Sequence, residues 1–481
     1  MPTSTTDLLP TIDGRRPRIA FVVYNDTYAD TRVLKIAATV ADAGADVRIF
    51  AFSSRTGHFG PGLETGPVEI DRVPLREIAH LLTRWGLSAR RLLGRPVPTY
   101  APTARTDESV AAPAAVVSSS PQAAPAGAPA ASVPSKPAGA KNMAIDLWRR
   151  ADATIKQGSF WIRARSHMAA WGPDLIHAHD ANTLVAALSA SRRLGIPYVY
   201  DSHELWTERN IRADRPVAKR FERLYERIGA KRAGAVVTVS PSIADWLKKR
   251  FRLKARPVLV RNIPLFTGQV PEPSAGRLRE LAALTSDDRV LAYCGGITTN
   301  RGIEETIDAL PLLPESVHFV LLGFGSEVYR AGLDARVRRL GLTDRVHFVG
   351  AVPSAEVSTA LADADVSLVL TRPACLSYEY SLPNKLFESI QAGLPIVATD
   401  LVDAAALVRQ YDVGEIVATD MPASALAEAI TAALASTDER RASIRRAAPE
   451  LTWQGESARL LGVYRSLLTG RRGSGTRRRR K

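Results

Sequence analysis

Short apolar runs and amphipathic stretches alternate along almost the whole chain. The first half carries RIAFVVY, ADVRIFAF, DLIHAH, PYVYDSH, AVVTVS and PVLVRNIP; the second carries RVLAYCGG, VHFVLLGFG, VHFVGA, VSLVLTR, PIVATD and EIVAT. Near-continuous Val/Ile/Leu runs of this length predict parallel strands buried on both faces, with helices between them. Two such series meet near Pro264–Glu272. They predict an α/β fold of two doubly wound, Rossmann-like domains. A chain of 481 residues also exceeds what one ordinary core accommodates.

The pattern divides the chain into a flexible N-terminus over 1–16, a first domain over 17–265, a second over 266–450, a last amphipathic helix over 451–470 and a basic disordered tail over 471–481. It breaks at about 100–141, where PAAVVSSSPQAAPAGAPAASVPSKPAGA is too poor in apolar residues to bury a core. Basic stretches with Trp85 on one side of this insert and Trp148, Trp161 and Trp171 on the other fit two readings. They are helices packed on the first domain, or a surface whose Trp and Leu dip among lipid headgroups while Arg meets phosphate.

Composition narrows the class. The two cysteines, Cys294 and Cys375, lack metal-ligand spacing and read as reduced thiols of a cytosolic protein. The polar, proline-broken start has no apolar core of a secretion signal, and no apolar run reaches the roughly 18 residues that span a bilayer. The expected place is the cytoplasm, with the inner face of the cytoplasmic membrane as a peripheral station. Net charge is +15, of which seven cations lie in Arg471–Lys481. Such a tail is either a solvated end or a seeker of anionic membrane surface. No nucleic-acid-binding motif accompanies it, so nucleic acid is not an expected partner.

Chemistry concentrates where strands end. In SLPNKLFESIQAGLPIVATD, Pro383 suits a first helical turn, whose free amides favour a phosphate. Lys385 adds a charge there, and Glu388 lies on the same side as Asn384 and Lys385, placed to accept the two hydroxyls of a ribose. That is the outline of a nucleoside diphosphate across a helix start; the plain alternative is a surface Lys–Glu pair. In YCGGITTNRGIEE, Gly295 and Gly296 let backbone approach a phosphate and Arg301 can clamp it. In the first domain, Arg32 follows a capped helix start in NDTYADTRVLKIA. HAHDANT and DSHELW place His177, His179, His203, Asp180, Asp201 and Glu204 toward one cleft. A zinc site from that set lacks the usual spacing, and hydroxyl-rich substrate is the favoured ligand.

Taken in order, HAHDANTL, YDSHELW, VTVSPSI, the Gly-Gly turn with Arg301–Gly302, and LPNKLFESIQAGLPIVATD resemble a retaining glycosyltransferase of the GT-B fold, family 4 type. The resemblance implies two domains facing across a cleft. The rear one would bind a nucleotide-diphospho-sugar donor, Glu388 on the ribose and Arg301 and Lys385 on the diphosphate. The front one would bind a glycan or lipid-linked acceptor, with His179 beside the transferred sugar and neither metal nor other cofactor. Two positions depart from the family. An earlier glutamate usual in it falls on Tyr380, with Glu379 one residue away as its substitute, and an arginine usual after the second glycine is Ile297. A nucleotide-sugar 2-epimerase of the same architecture and a non-catalytic partner that keeps the fold are the alternatives. No G-x-G-x-x-G motif supports a dinucleotide enzyme.

Overall fold

A computed structural model describes residues 8–28, 30–53, 59–76, 140–210 and 216–475. Trp85, all but the end of the Ala/Pro/Ser insert, and the tail from 476 onward lie outside the described residues.

The first domain contributes β1 (Arg18–Val22), β2 (Asp46–Ser53), β3 (Gly62–Glu64), β4 (Glu69–Pro74), β5 (Leu175–His179), β6 (Tyr198–Ser202), β7 (Ala235–Thr238) and β8 (Val258–Leu259). They lie in the order β3-β4-β2-β1-β5-β6-β7-β8, parallel except for β3. The second domain contributes β9 (Arg289–Cys294), β10 (Val317–Leu322), β11 (Val346–Gly350), β12 (Val366–Val369), β13 (Ile396–Thr399) and β14 (Gly414–Val417), parallel in the order β11-β10-β9-β12-β13-β14. The apolar runs therefore form the two doubly wound sheets the pattern predicts. Strands such as β5 and β6 are buried at every position because helices cover both faces.

Local chemistry starts the helices where the motifs require. Asp30 accepts the Val33 N–H (3.1 Å) ahead of the helix Thr31–Asp42. Ser240 does the same for Ile243 (3.3 Å), with Pro241 in the first turn of Pro241–Phe251. Each sheet reverses its winding beside its first strand: β1 lies between β2 and β5, and β9 between β10 and β12. The loops beyond the carboxyl ends of these strands open the crevice where ligands of such sheets bind.

The N-terminal end corrects the expected division, and the expected C-terminal helix is present with its packing now visible. Residues 8–16 are anchored: Leu9 is buried, and Arg15 makes a two-pronged pair with Asp174 (2.7 and 3.0 Å). The last helix, Trp453–Gly475, leaves the second domain and packs on the first. Trp453, Leu460, Leu461, Tyr464 and Leu468 join the core of Val33, Ile36, Val237 and Val260. Burial of each such leucine stabilises by about 1.5–3 kcal/mol. Glu456 binds Arg261 through both its backbone N–H (2.9 Å) and its guanidinium (2.6 Å).

Glu456→Ala should therefore leave Arg261 without its buried counter-charge. We expect a loss of roughly 3–5 kcal/mol in chemical denaturation, against little change for Arg459→Ala on the exposed side of the same carboxylate.

Candidate active site

At the rear switch point, the helix Asn384–Gln391 presents its first turn to the ends of β9 and β12. Lys385 and Glu388 are both buried. The Lys385 ammonium donates to the Leu370 carbonyl (3.3 Å) and lies 4.5 Å from the centre of the Tyr293 ring. Burial, reinforced by the Arg301 charge, lowers its pKa to about 7. Glu388 accepts from the Cys294 thiol (3.4 Å), and burial raises its carboxyl to about 7 against the pull of that bond, Lys35 and Lys385. Arg301 stacks over Tyr378 with 5.0 Å between guanidinium carbon and ring centre. Arg301, Lys385 and Glu388 thus gather at one place, as the motifs imply.

The glycine corner explains its own composition. Gly295 has φ +117° and donates to the Leu322 carbonyl (3.0 Å), while the Tyr293 hydroxyl donates to the Gly296 carbonyl (2.6 Å). Strand ends β9 and β10 approach so closely that a Cβ on Gly323 would meet the Gly295 carbonyl oxygen at 1.8 Å. At Gly302 (φ +69°), a Cβ would meet Leu370 at 2.3 Å. Ile297 is buried in the apolar core, so this position holds no clamp for an anion.

At the front switch point, the histidines form one network around Asp201. Arg32 grips Asp201 with two nitrogens (3.1 and 2.9 Å) and donates to the Val260 carbonyl (3.1 Å); both partners are essentially without solvent contact. This corrects the expectation that Arg32 and Asp201 face a substrate: each is occupied by the other. His177 is also internal, in a cluster of three mutually stacked rings with Phe21 and His179, and its Nδ1 lies on the Tyr464 hydroxyl. His203 bridges Asp201 (3.3 Å), Asp180 (3.3 Å) and the His179 Nδ1 (3.1 Å). Burial works against its protonation, but Asp180 and Asp201 outweigh it and raise the pKa to about 9. Burial, with His177 adding repulsion, holds His179 well below the ordinary value. The His179 Nδ1 faces both the cationic His203 (3.1 Å) and the Asp201 carboxylate (3.6 Å), while its Nε2 is buried and without a hydrogen-bond partner among the described residues. Asp180 takes a strained backbone, φ +59°, to turn its carboxylate onto His203.

Ligand atoms of His177, His179 and Asp201 lie within 4.8 Å of one another, the spacing of a metal site. The donor set fits poorly, because Arg32 holds both Asp201 oxygens and a divalent ion would face its guanidinium.

The remaining expected residues mark where the domains meet. Glu204 is half-buried and receives Arg209 (3.3 Å). Its neighbour Leu205 donates its N–H to the Ser377 hydroxyl (3.2 Å), and Tyr380 accepts the Ser240 hydroxyl on its carbonyl (2.6 Å) while its ring packs on the first core. Glu379 closes the short helix Leu376–Glu379 at this seam. Three further residues of the site were given no role by the motifs: Lys35, Tyr464 and Cys294. Lys35, in the helix begun by Arg32, donates to Asn262 (2.9 Å) and influences Glu388 across the seam. Only the one-turn spacing from Arg32 pointed to it.

The comparisons with known proteins follow this division. Residues 288–436 match the glycosyl transferases group 1 family model, and residues 124–262 match the glycosyltransferase family 4 model. A Bacillus subtilis (strain 168) protein named for teichuronic acid biosynthesis, TuaC, is 28% identical over 260 residues, 54% of this chain and 61% of its own length. Among solved structures, sucrose-phosphate synthase from Thermosynechococcus elongatus superposes with TM-score 0.66 at 18% identity, covering 95% of this chain and all of that one. Anabaena HepE in complex with UDP gives 0.64 at 16% (94% and 100% covered), and WaaG, involved in lipopolysaccharide biosynthesis, gives 0.60 at 16% (93% and 99%). At these identities the structural likeness establishes the GT-B fold.

His203 carries the prediction of this site. A folded pKa near 9 against an ordinary 6.5 means its pairing adds stability that is complete below about pH 6.5 and lost as pH rises through 9. The His203 ring should titrate near 9 by NMR, and Asp180→Asn should move that midpoint down by at least one unit. The difference in stability between the native chain and His203→Gln should shrink over the same window.

Proposed function

We propose that this chain, which belongs to the GT-B glycosyltransferases of family 4 type, moves a sugar from a nucleotide-diphospho-sugar to a glycan or lipid-linked acceptor with retention of anomeric configuration. The observation that carries the donor half is the convergence of Arg301, Lys385 and Glu388 on the first turn of Asn384–Gln391, beside the Gly295–Gly296 corner. Amides and two cations there suit a diphosphate, and the buried Glu388 carboxylate suits a ribose diol. UDP bound to HepE supports a nucleotide ligand for this architecture. The TuaC name supports a cell-envelope or exopolysaccharide acceptor.

In the reaction, the bond between anomeric carbon and diphosphate oxygen breaks while the acceptor hydroxyl oxygen forms the new bond, and the hydroxyl proton passes to the departing diphosphate. Charge builds on the leaving diphosphate, where Lys385, Arg301 and the helix amides stabilise it without a metal; preorganised donors of this kind contribute several kcal/mol. The unpartnered His179 Nε2 is suited to a sugar hydroxyl next to the breaking bond. Glu379, at the end of the helix Leu376–Glu379, is the residue we assign to the sugar, and Asn384, at the start of Asn384–Gln391, the one we assign to the phosphate.

Calorimetry with UDP, GDP and ADP sugars tests the reading. One nucleotide should bind and stabilise the chain by about 2.7 kcal/mol at a hundredfold excess over Kd. Arg301→Ala and Glu388→Ala should weaken that binding more than tenfold with unfolding unchanged. Equal affinity in both variants overturns the donor site, and a product of inverted anomeric configuration by NMR overturns the stereochemistry.

A further inference from the structure

We propose that the exposed face of the helix Pro216–Arg232 docks on an anionic lipid surface. Phe221, Leu224 and Ile228 are 56%, 53% and 39% exposed. Their spacing, i, i+3 and i+7, sets them in one stripe. Scattered exposed apolar residues are ordinary, but three large ones aligned along one helix are not. Arg220, Arg227, Lys231 and Arg232 are exposed on the same helix. At 100° per residue, Arg220, Arg227 and Lys231 flank the stripe on one side and Arg232 on the other.

The acids of this helix do not share the exposed face. Glu226 is buried and accepts the Tyr200 hydroxyl (2.9 Å), and Glu222 is half-buried. Two more basic residues turn the other way, Lys219 (2.9 Å) and Arg223 (3.0 Å) both binding Glu208. What faces solvent is an apolar ridge bounded by cations. Apolar side chains can enter the headgroup–acyl boundary while the long stems of Arg and Lys lift their charges to phosphate.

Charge decides among occupants. A second copy would set like cations against each other, and the flanking segment LREIAHLLTRWGLSARRLLGR of this chain is itself basic. An anionic bilayer meets both the ridge and its border. Two of the tryptophans singled out in the sequence do less of this, whereas Trp148 is exposed. Trp161 donates to the Asn182 carbonyl (2.6 Å) and packs edge-on against Tyr225, and Trp171 packs against Phe50. The surface also adjoins the front of the site, because Glu208, which ties down this helix, lies in the loop that carries His203 and Glu204.

The test is flotation of the full chain with vesicles of phosphatidylcholine, alone or mixed with phosphatidylglycerol. The native chain should float with the anionic vesicles and stay behind with the neutral ones. Phe221→Ser combined with Leu224→Ser should lower partitioning by roughly tenfold with an unchanged unfolding midpoint. Arg220→Gln with Arg227→Gln should weaken binding and flatten its salt dependence. Flotation of the apolar variant at the native level, or equal binding to neutral vesicles, overturns the proposal. So does a dimer in sedimentation velocity that the same apolar variant dissociates. Because donor calorimetry needs no lipid, this result and that of the transferase reading are independent.

Discussion

The Arg32–Asp201 pair holds the front half of the site in place. It joins three segments distant in sequence: the helix after β1, the end of β6, and the Val260 carbonyl where the chain leaves the first sheet. Two charges removed from water are costly, and their attraction compensates only when the geometry satisfies both. Here the two-pronged contact does so, and it fixes what surrounds it. Burial alone would raise the Asp201 carboxyl, yet Arg32 and His203 outweigh it and hold the group well below the ordinary range. A permanent anion at this point then decides the histidines. His203, in reach of Asp201 and Asp180, becomes the cation, and His179, stacked on His177, stays neutral. Proton positions in the cleft follow from one internal ion pair.

The fold was legible because its signal is redundant. Every strand of both sheets that bears on the site is an apolar run, and the order of runs and helices leaves few topologies. The rear cluster was legible as well, because Asn384, Lys385 and Glu388 lie three and four positions apart on one helix and local spacing alone sets their geometry. The front half resisted for the opposite reason. Arg32 and Asp201 are 169 positions apart, and His177 and Tyr464 are 287 apart. No periodicity distinguishes a charged residue that reaches solvent from one that meets its partner across the sheet. His177 and His179 stand two apart on β5 and so share one face, where their rings stack at 4.3 Å; the spacing alone does not tell that Tyr464 and Asp201 close this face off from solvent. The anchoring of residues 8–16 was hidden similarly: Arg15 depends on Asp174, which only the folded sheet brings near.

The seam between the domains gathers groups that burial has moved toward neutrality. Lys35 and Lys385 are lowered to about 7, and Glu388 is raised to about 7. Each shift has burial as its largest cause, so each group is set to respond to whatever supplies a complementary charge or hydrogen bond. On the proposed reading, a diphosphate draws a proton onto Lys385, and ribose hydroxyls that donate to Glu388 favour its ionised form. One group takes up a proton while the other releases one, so the summed charge of these side chains stays nearly constant as the donor brings in its own. Lys35 belongs to the helix that begins at Arg32, so the ion pair that orders the front histidines also sets the position of a cation felt by Glu388. The two halves of the site are therefore linked through a single helix of the first domain, and a displacement of Arg32 would be felt at Glu388 as well as at His179.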